Sequence, residues 1–524
     1  MLFPVWRELL CDGETPVGVF ARLRRCLASR DQHSFLLESV VGGERWARWS
    51  FIGVGHRAVV RGWWREGRLV VECEPGPGFE SPLGSLGGPR GGVGEGSGAA
   101  LIEDLLTRYR GGVDPDEPAA GGDELPRFWG GLVGVWGHDM VRDLERIPTP
   151  AWTSPADLPA FELLVTDTLV VFDNLSQKVR VFATACPAED GGVVQARAAA
   201  RRRVDAVVAA LRQGPTLQPR RLDEALTAPS PELAAAWTGA GFPSQVEQAK
   251  QFIGSGDVFQ VVLSQRFDQP RARAGHDVDP LDVYRMLRVT NPAPYMYLLE
   301  LPSASLAGAS PEVLVRVDAA DRRVTVRPLA GTRGRGRDLA EDQALERELL
   351  ADPKERAEHL MLIDLGRNDI GRIAAAGSVE VAASFEIERY SKVMHIVSEV
   401  SGVLADGLSV VDALRSTFPA GTLSGAPKVR ALEIIDELEP APRGWYGGAV
   451  GYFGYDGGAD FAICIRTVVL TPDSVRVQAG AGIVYDSDPD AEDEECGRKA
   501  AAVLRAIELA RASAGAVPEP GEGA

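Results

Sequence analysis

The sequence predicts an α+β fold, with mainly antiparallel β-sheets packed face to face and helices on the outside. Two observations carry this. Strand-like segments come in runs instead of alternating one for one with helices, and the helices announce themselves separately through capping acids and prolines. Residues 35–41 and 163–172 are short, apolar and β-branched, as strands are. Val313, Val315 and Val317 alternate with Leu314, Arg316 and Asp318, and AADRR then turns the chain into 324–328, which is a hairpin signal. Further strands are expected at 295–301, 448–455, 461–470 and 474–479. Asp352-Pro353 and Asp488-Pro489 each place a capping carboxylate before a proline at the first helical position. PAGTLSGAPK (419–428) gives a turn, a cap at Ser424 and an amphipathic helix through Ala431, Leu432, Ile435 and Leu438. The helix DPKERAEHLMLIDLGRND (352–369) is expected to be mostly buried through Leu360, Leu362, Ile363 and Leu365.

The 524 residues allow about two to four domains at roughly 150 residues each. Pro- and Gly-rich stretches at 74–99 and 112–126 are expected to be surface excursions, and 212–231 to be a linker. The expected division is 1–234, 235–512 and a disordered tail at 513–524. No apolar run approaches the ~18 residues that span a bilayer, and the start lacks a basic region followed by a hydrophobic one. Six cysteines without a CxxC pair fit neither a zinc ribbon nor a disulfide framework. A cytoplasmic protein without membrane contact is therefore expected. The net charge of −18 argues against a nucleic-acid partner, since phosphate neutralisation needs a basic face.

Several residues are candidates for chemistry. Glu358 lies about two turns into its helix, where a charge needs either an ion-pair partner or a metal. Glu492, Glu495 and Lys499 share one face of the last helix. Glu495 and Lys499 form a surface ion pair, or Glu495 converges with Glu358 on one hard cation such as magnesium, which needs only one or two carboxylates besides water and substrate oxygens. Gly480 and Gly482, in QAGAGIVYDS (478–487), either let a ligand lie against the backbone or form a β-bulge. Arg466 closes a strand of small residues, suited to a carboxylate ligand or to a structural Asp. Thr422 lies on the loop feeding a helix N-terminus, a place for anions. His395 stands among apolar residues, as a core histidine or a catalyst. GTRGRGRD (331–338) lacks the GK[ST] of a phosphate loop and is too short for an Arg/Gly nucleic-acid segment.

Together these segments resemble the chorismate-utilising enzymes, and within them the large subunits (component I) of anthranilate synthases. The resemblance runs in order through GDVFQVVLSQRF (256–267), NPAPYMY (291–297), GASPEVLVRV (308–317), RPLAGTRGRG (327–336), the 352–369 helix, YSKVMHIVSEVSG (390–402), FPAGTLSGAPKVRALEIIDELEP (418–440), RGWYGGAVGYFG (443–454) and QAGAGIVYDSDP (478–489). It implies Mg2+ held by Glu358 and Glu495. It implies chorismate contacts on Gly331, Thr332, Tyr446, Arg466, Gly480, Ala481, Gly482 and Lys499. It makes Glu312 the general acid for loss of the ring hydroxyl, with His395 and Thr422 near the reacting ring. The implied reaction adds ammonia to chorismate, giving 2-amino-2-deoxyisochorismate, and then eliminates pyruvate to give anthranilate, the first committed step of tryptophan biosynthesis.

Two positions bear on the alternatives within the family. Isochorismate-forming members carry a lysine base where Gln260 stands, and a glutamine cannot take that proton. Aminodeoxychorismate synthases carry a lysine nucleophile in the loop that here reads PAGTLSG. The remaining alternatives are aminodeoxychorismate synthase component I and an aminodeoxyisochorismate synthase that stops at the aminated intermediate. LLES (36–39), with Glu38 and Ser39, resembles a tryptophan feedback pocket completed by Pro294, Tyr295 and Met296. No cysteine sits in a GxCxG elbow and no length remains after 512 for an amidotransferase domain. The expected partner is a separate glutamine amidotransferase subunit, in a heterodimer or heterotetramer. Two departures from the family pattern are the length of 74–99 and the glycine at Gly334.

Overall fold

Alternating side chains along the strands feed two cores on opposite faces of one hydrogen-bonded network. In the strand Ser34–Glu38, Phe35 joins one core and Leu36 the other; in Phe161–Asp173, Val171 and Val170 divide the same way, as do Tyr297 and Met296 in Tyr295–Glu300. The first core is the layer between sheets, where Phe35, Trp136, Phe161, Tyr452 and Phe461 meet. Phe128 and Tyr452 sit there with ring centroids 4.0 Å apart, a pair type that contributes about 0.5–1.5 kcal/mol beyond area burial. The second core lies under the helices. Val193–Gln213 covers the strands Phe3–Leu10 and Lys178–Ala185, and Pro489–Ala514 covers the strand Ser474–Ile483.

This computed structural model describes residues 1–27, 33–39, 48–79, 93–95, 97–112, 125–148, 157–213, 217, 241–272, 277–390 and 393–514. Among them, 21 strands form one network of antiparallel pairings. The expected boundary near 235, most of the Gly-rich stretches 74–99 and 112–126, and nearly all of the tail lie outside the described residues. Strands from either side of that boundary pair directly. Ser34–Glu38 runs beside Tyr295–Glu300, with Met296 opposite Glu38, and Gly131–Trp136 runs beside Ala449–Gly454, with Ala449 opposite Trp136. The two parts of the chain therefore share sheet as well as core.

The hairpin forms as expected between Val313–Val317 and Arg323–Val326, with Arg316 opposite Thr325. Both acid–proline helix starts are present. Asp352 Oδ1 accepts from the amides of Lys354 and Glu355 at 2.9 and 3.3 Å, and Asp488 Oδ1 from that of Ala491 at 2.9 Å. Three expectations need correction. The strand expected at 461–470 is two strands, Ala459–Ile463 and Thr467–Leu470, because its neighbours change: the first pairs with Val313–Val317 and the second with Ser305–Ser310. Arg466 occupies the break, at φ +52°. Ser424 caps no helix; its hydroxyl donates to Ala420 O at 3.0 Å, and Lys428–Leu438 starts after Pro427, which cannot continue the preceding turn as a helix. The helix Pro353–Gly371 is only half covered. Its buried stripe is His359, Leu362, Ile363, Gly366, Asp369 and Ile370, whereas Leu360 is 53% exposed.

Candidate active site

Two breaks in neighbouring strands create the centre of the site. Pro311, which has no amide hydrogen to give a ladder, interrupts the run from Ser305–Ser310 to Val313–Val317, and the 464–466 turn interrupts the strand beside it. The breaks face each other: Ala309 N donates to Arg466 O at 3.2 Å and Ile463 N donates to Glu312 O at 3.0 Å. A carboxyl and a guanidinium are thereby delivered at one level of the sheet.

Glu312 is buried, and loss of water around it pushes its pKa up to about 8, against the lowering effects of the Thr422 hydroxyl and Lys499. Thr422 Oγ1 donates to Glu312 Oε1 at 3.1 Å. Thr422 lies in the single turn Gly421–Leu423 and makes this contact in place of the anion site at a helix start that the sequence offered. Lys499 donates to Gly480 O at 2.9 Å and pairs with Glu495 at 2.6 Å. Glu495 in turn is near enough to Glu358 to help raise its pKa, after burial and Glu355. The Glu495–Lys499 ion pair is thus formed, and Glu495 also acts electrostatically on Glu358.

Burial lowers the pKa of Arg466, and Tyr446 and Glu495 are its compensating neighbours. It forms no ion pair among the described residues. His395, on the strand Val393–Val403, lies opposite Thr332 in the ladder, and Thr332 Oγ1 is 2.8 Å from its Nδ1. Burial, and to a lesser degree Arg466, holds its pKa down at about 4, so the ring is neutral. The ladder shifts register at Gly331, whose φ of +79° glycine adopts without cost.

The strand Ser474–Ile483 forms the floor. A Cβ on Gly480 would lie 3.0 Å from Tyr446 Oη, and one on Gly482 would lie 2.6 Å from Gln260 Nε2. The missing side chains thus make room for Tyr446 and Gln260. Because Gly480 turns its carbonyl to Lys499, antiparallel alternation turns the amides of Gly480 and Gly482 outward as well and those of Ala481 toward the strand Gln260–Pro270. Ala481 is fully buried in the inter-sheet core and stands apart from the other candidates.

Sequence reasoning missed the brace beneath this floor. Arg443 is buried and pairs with Glu439 at 2.6 Å; it donates to Leu423 O at 2.6 Å and to Val262 O at 2.7 Å, tying the Thr422 turn to the Gln260 strand. The available signal was an arginine opening the apolar run RGWYGG. Lys354 was also missed: it is one of the charged neighbours of Glu492, whose pKa burial raises, together with Glu495 and Lys499.

A pocket lies between the two parts of the chain and is lined by Glu38, Ser39, Pro294, Tyr295 and Met296, with Arg127 and Asp460. Tyr295 Oη donates to Asp460 Oδ1 at 2.8 Å, and Arg127 pairs with Asp460 at 3.4 Å. Arg288 donates to Glu38 Oε1, while Glu38 Oε2 is buried without a hydrogen-bond partner.

The chorismate binding enzyme family matches residues 104–505. Anthranilate synthase component 1 of Pseudomonas aeruginosa is 45% identical over 513 residues, 97% of this chain and 96% of that protein. The crystal structure of anthranilate synthase component I from Streptococcus pneumoniae is 34% identical, covers 87% of this chain and 92% of its own, and superposes with a TM-score of 0.65. The menaquinone-specific isochorismate synthase of Escherichia coli, 18% identical with a TM-score of 0.66 over 97% of this chain and 95% of its own, shares the fold. The chain belongs to the chorismate binding enzyme family, in its anthranilate synthase component 1 branch.

Proposed function

We propose that the chain converts chorismate and ammonia to anthranilate and pyruvate through 2-amino-2-deoxyisochorismate. The observation that carries this reading is Arg466, a half-buried guanidinium that forms no ion pair among the described residues, at a strand break that faces the break carrying the buried acid Glu312. A desolvated cation of this kind is suited to a carboxylate brought by the substrate. Glu312 keeps its proton at neutral pH. Glu312 gives it to the C4 hydroxyl, which leaves as water while ammonia bonds to C2 and loses one proton. Gln260, an amide beside Gly482, cannot deprotonate water, so the nucleophile arrives as neutral ammonia. Neutral His395 offers a hydrogen bond near the ring without adding charge. Elimination of pyruvate from the aminated ring then restores aromaticity.

Glu358 and Glu495 fit a magnesium ion. Their oxygens are hard donors from two helices, and the charge of Glu495 is among the causes that raise the pKa of Glu358; two such carboxylates suffice for an ion whose shell water and substrate complete. When bound, the ion neutralises substrate carboxylate charge and orients it. Ammonia would come from a glutamine amidotransferase subunit, in keeping with relatives named component 1. In the pocket beside Tyr295, the Glu38 carboxylate, which Arg288 engages through Oε1, is suited to the ammonium group of tryptophan, which would act there as feedback inhibitor. All six cysteines are free, consistent with a cytoplasmic enzyme, and no helix among the described residues is long and apolar enough to cross a membrane.

The test mixes the purified chain with chorismate, magnesium and high ammonium at alkaline pH and follows anthranilate fluorescence. Fluorescence that disappears on chelation and returns with magnesium supports the reading. Accumulation of a non-aromatic amino product would overturn it in favour of the intermediate-forming relatives.

A further inference from the structure

Arg466 adopts a left-handed backbone conformation, which a residue with a side chain resists unless its surroundings impose it. The surroundings are specific. Thr467 Oγ1 donates to Ile465 O at 2.8 Å, closing the turn on either side of Arg466, and Tyr297 Oη lies 2.6 Å from the same Thr467 Oγ1. Since the threonine's hydrogen goes to Ile465 O, the phenol is the donor to Thr467. Tyr297 reaches this point across an intervening strand. It lies opposite Gly308 in one ladder, and Gly308 lies opposite Thr467 in the next, so the three residues form one row. A Cβ on Gly308 would come within 2.2 Å of the Tyr297 ring. Glycine in the middle of the row is what allows a phenol to lie over it and reach the far strand.

We infer that Tyr297 is a positioning residue for substrate binding: its hydroxyl, acting through Thr467, holds the turn that aims the Arg466 guanidinium. No ion pair among the described residues fixes that guanidinium from its far end, so its direction depends on the backbone turn. Tyr297 itself is fully buried in the inter-sheet core and does not reach the reacting ring. The inference rests on the reading of Arg466 as the anchor of a chorismate carboxylate. An anchor used equally in ground and transition states governs KM and leaves kcat nearly unchanged.

Tyr297→Phe keeps the ring over Gly308 and removes only the donor. In the ammonia-dependent assay with magnesium, its KM for chorismate is expected to rise about tenfold, the order of one lost hydrogen bond, with kcat within about twofold of the parent. Thr467→Val should raise KM to a similar extent, and Thr467→Ser, which restores the hydroxyl, should return it toward the parent value. A KM for Tyr297→Phe within twofold of the parent overturns the inference, as does a fall in kcat with KM unchanged. Arg466→Ala separates the two layers. If Arg466→Ala raises KM strongly while Tyr297→Phe does not, the positioning role alone fails; if Arg466→Ala leaves KM unchanged, the anchor reading fails with it. Far-UV circular dichroism and the thermal midpoint of Tyr297→Phe should match the parent, and a variant that has lost its fold is replaced as the test by the Thr467 Val/Ser pair.

Discussion

The site at Arg466 and the pocket beside Tyr295 both bring charged side chains from distant segments together, and they differ in how those charges are satisfied. In the pocket, Asp460 is held by both Tyr295 and Arg127, and Glu38 by Arg288, which leaves one carboxylate oxygen open. At Arg466 there is no ion-pair partner among the described residues, and burial pushes the pKa of Glu312 up to about 8. Burying charges without partners costs stability, so a fold retains them where a ligand supplies the partner. The difference supports the proposal that chemistry takes place at Arg466 and Glu312, while the charges of the pocket are largely spent on joining the two parts of the chain.

The largest expected effect tests the acidic pair. Glu358→Gln or Glu495→Gln should abolish turnover, followed as anthranilate fluorescence under saturating chorismate and magnesium; near-normal activity in either would remove the metal proposal. Next, Glu312→Gln should lower kcat by about 10²–10⁴-fold, the usual contribution of a positioned acid. The pH profile carries the sign: Glu312 acts in its protonated form and its pKa is raised, so kcat at constant free ammonia should decline as pH passes about 8. His395, neutral above about 4, should add no second limb between pH 6 and 9. A flat profile in the parent between pH 7 and 9 would exclude Glu312 as that acid.

A third pair of substitutions breaks the comparison directly. Asp460→Asn leaves Arg127 without its counter-charge and should destabilise the fold by about 1–3 kcal/mol, seen as a lower denaturant midpoint. Arg466→Ala removes a half-buried cation with no ion pair to lose among the described residues, so its midpoint should not fall although activity does. Equal destabilisation by both would erase the distinction between site and pocket. The smallest catalytic effect is expected at Ser39→Phe, which should leave the reaction rate close to the parent and relieve tryptophan inhibition; an unchanged inhibition curve would place the regulatory site elsewhere.

Much of this was legible along the chain because local rules wrote it there. The capping aspartates before Pro353 and Pro489 fix where two helices begin, and those helices carry Glu358 and Glu495. Valine alternation fixed the hairpin after Glu312. The glycines of the Gln478–Ser487 segment offered a ligand surface or a β-bulge; the ladder runs through them without a register shift, and Gly480 and Gly482 leave space that Tyr446 and Gln260 approach. Elsewhere local signals misled. The Ala459–Leu470 region looked like one strand because its apolar pattern continues through the break; the change of neighbours that interrupts it is a property of the sheet. Leu360 looked buried because it sits among other leucines, yet 3.6-residue periodicity carries it to the exposed side of its helix.

By itself the sequence determined which chemical groups were available and which short elements would present them, since caps, prolines and alternation act within a few residues. Tertiary structure decided which of those groups meet. Glu312 and Thr422 are 110 positions apart and Glu439 and Ser264 are 175 apart. Whether an acid keeps its proton, or a guanidinium lacks a partner, depends on how completely distant segments exclude water around it, and that exclusion exists only once the strands have paired and the helices have closed over them.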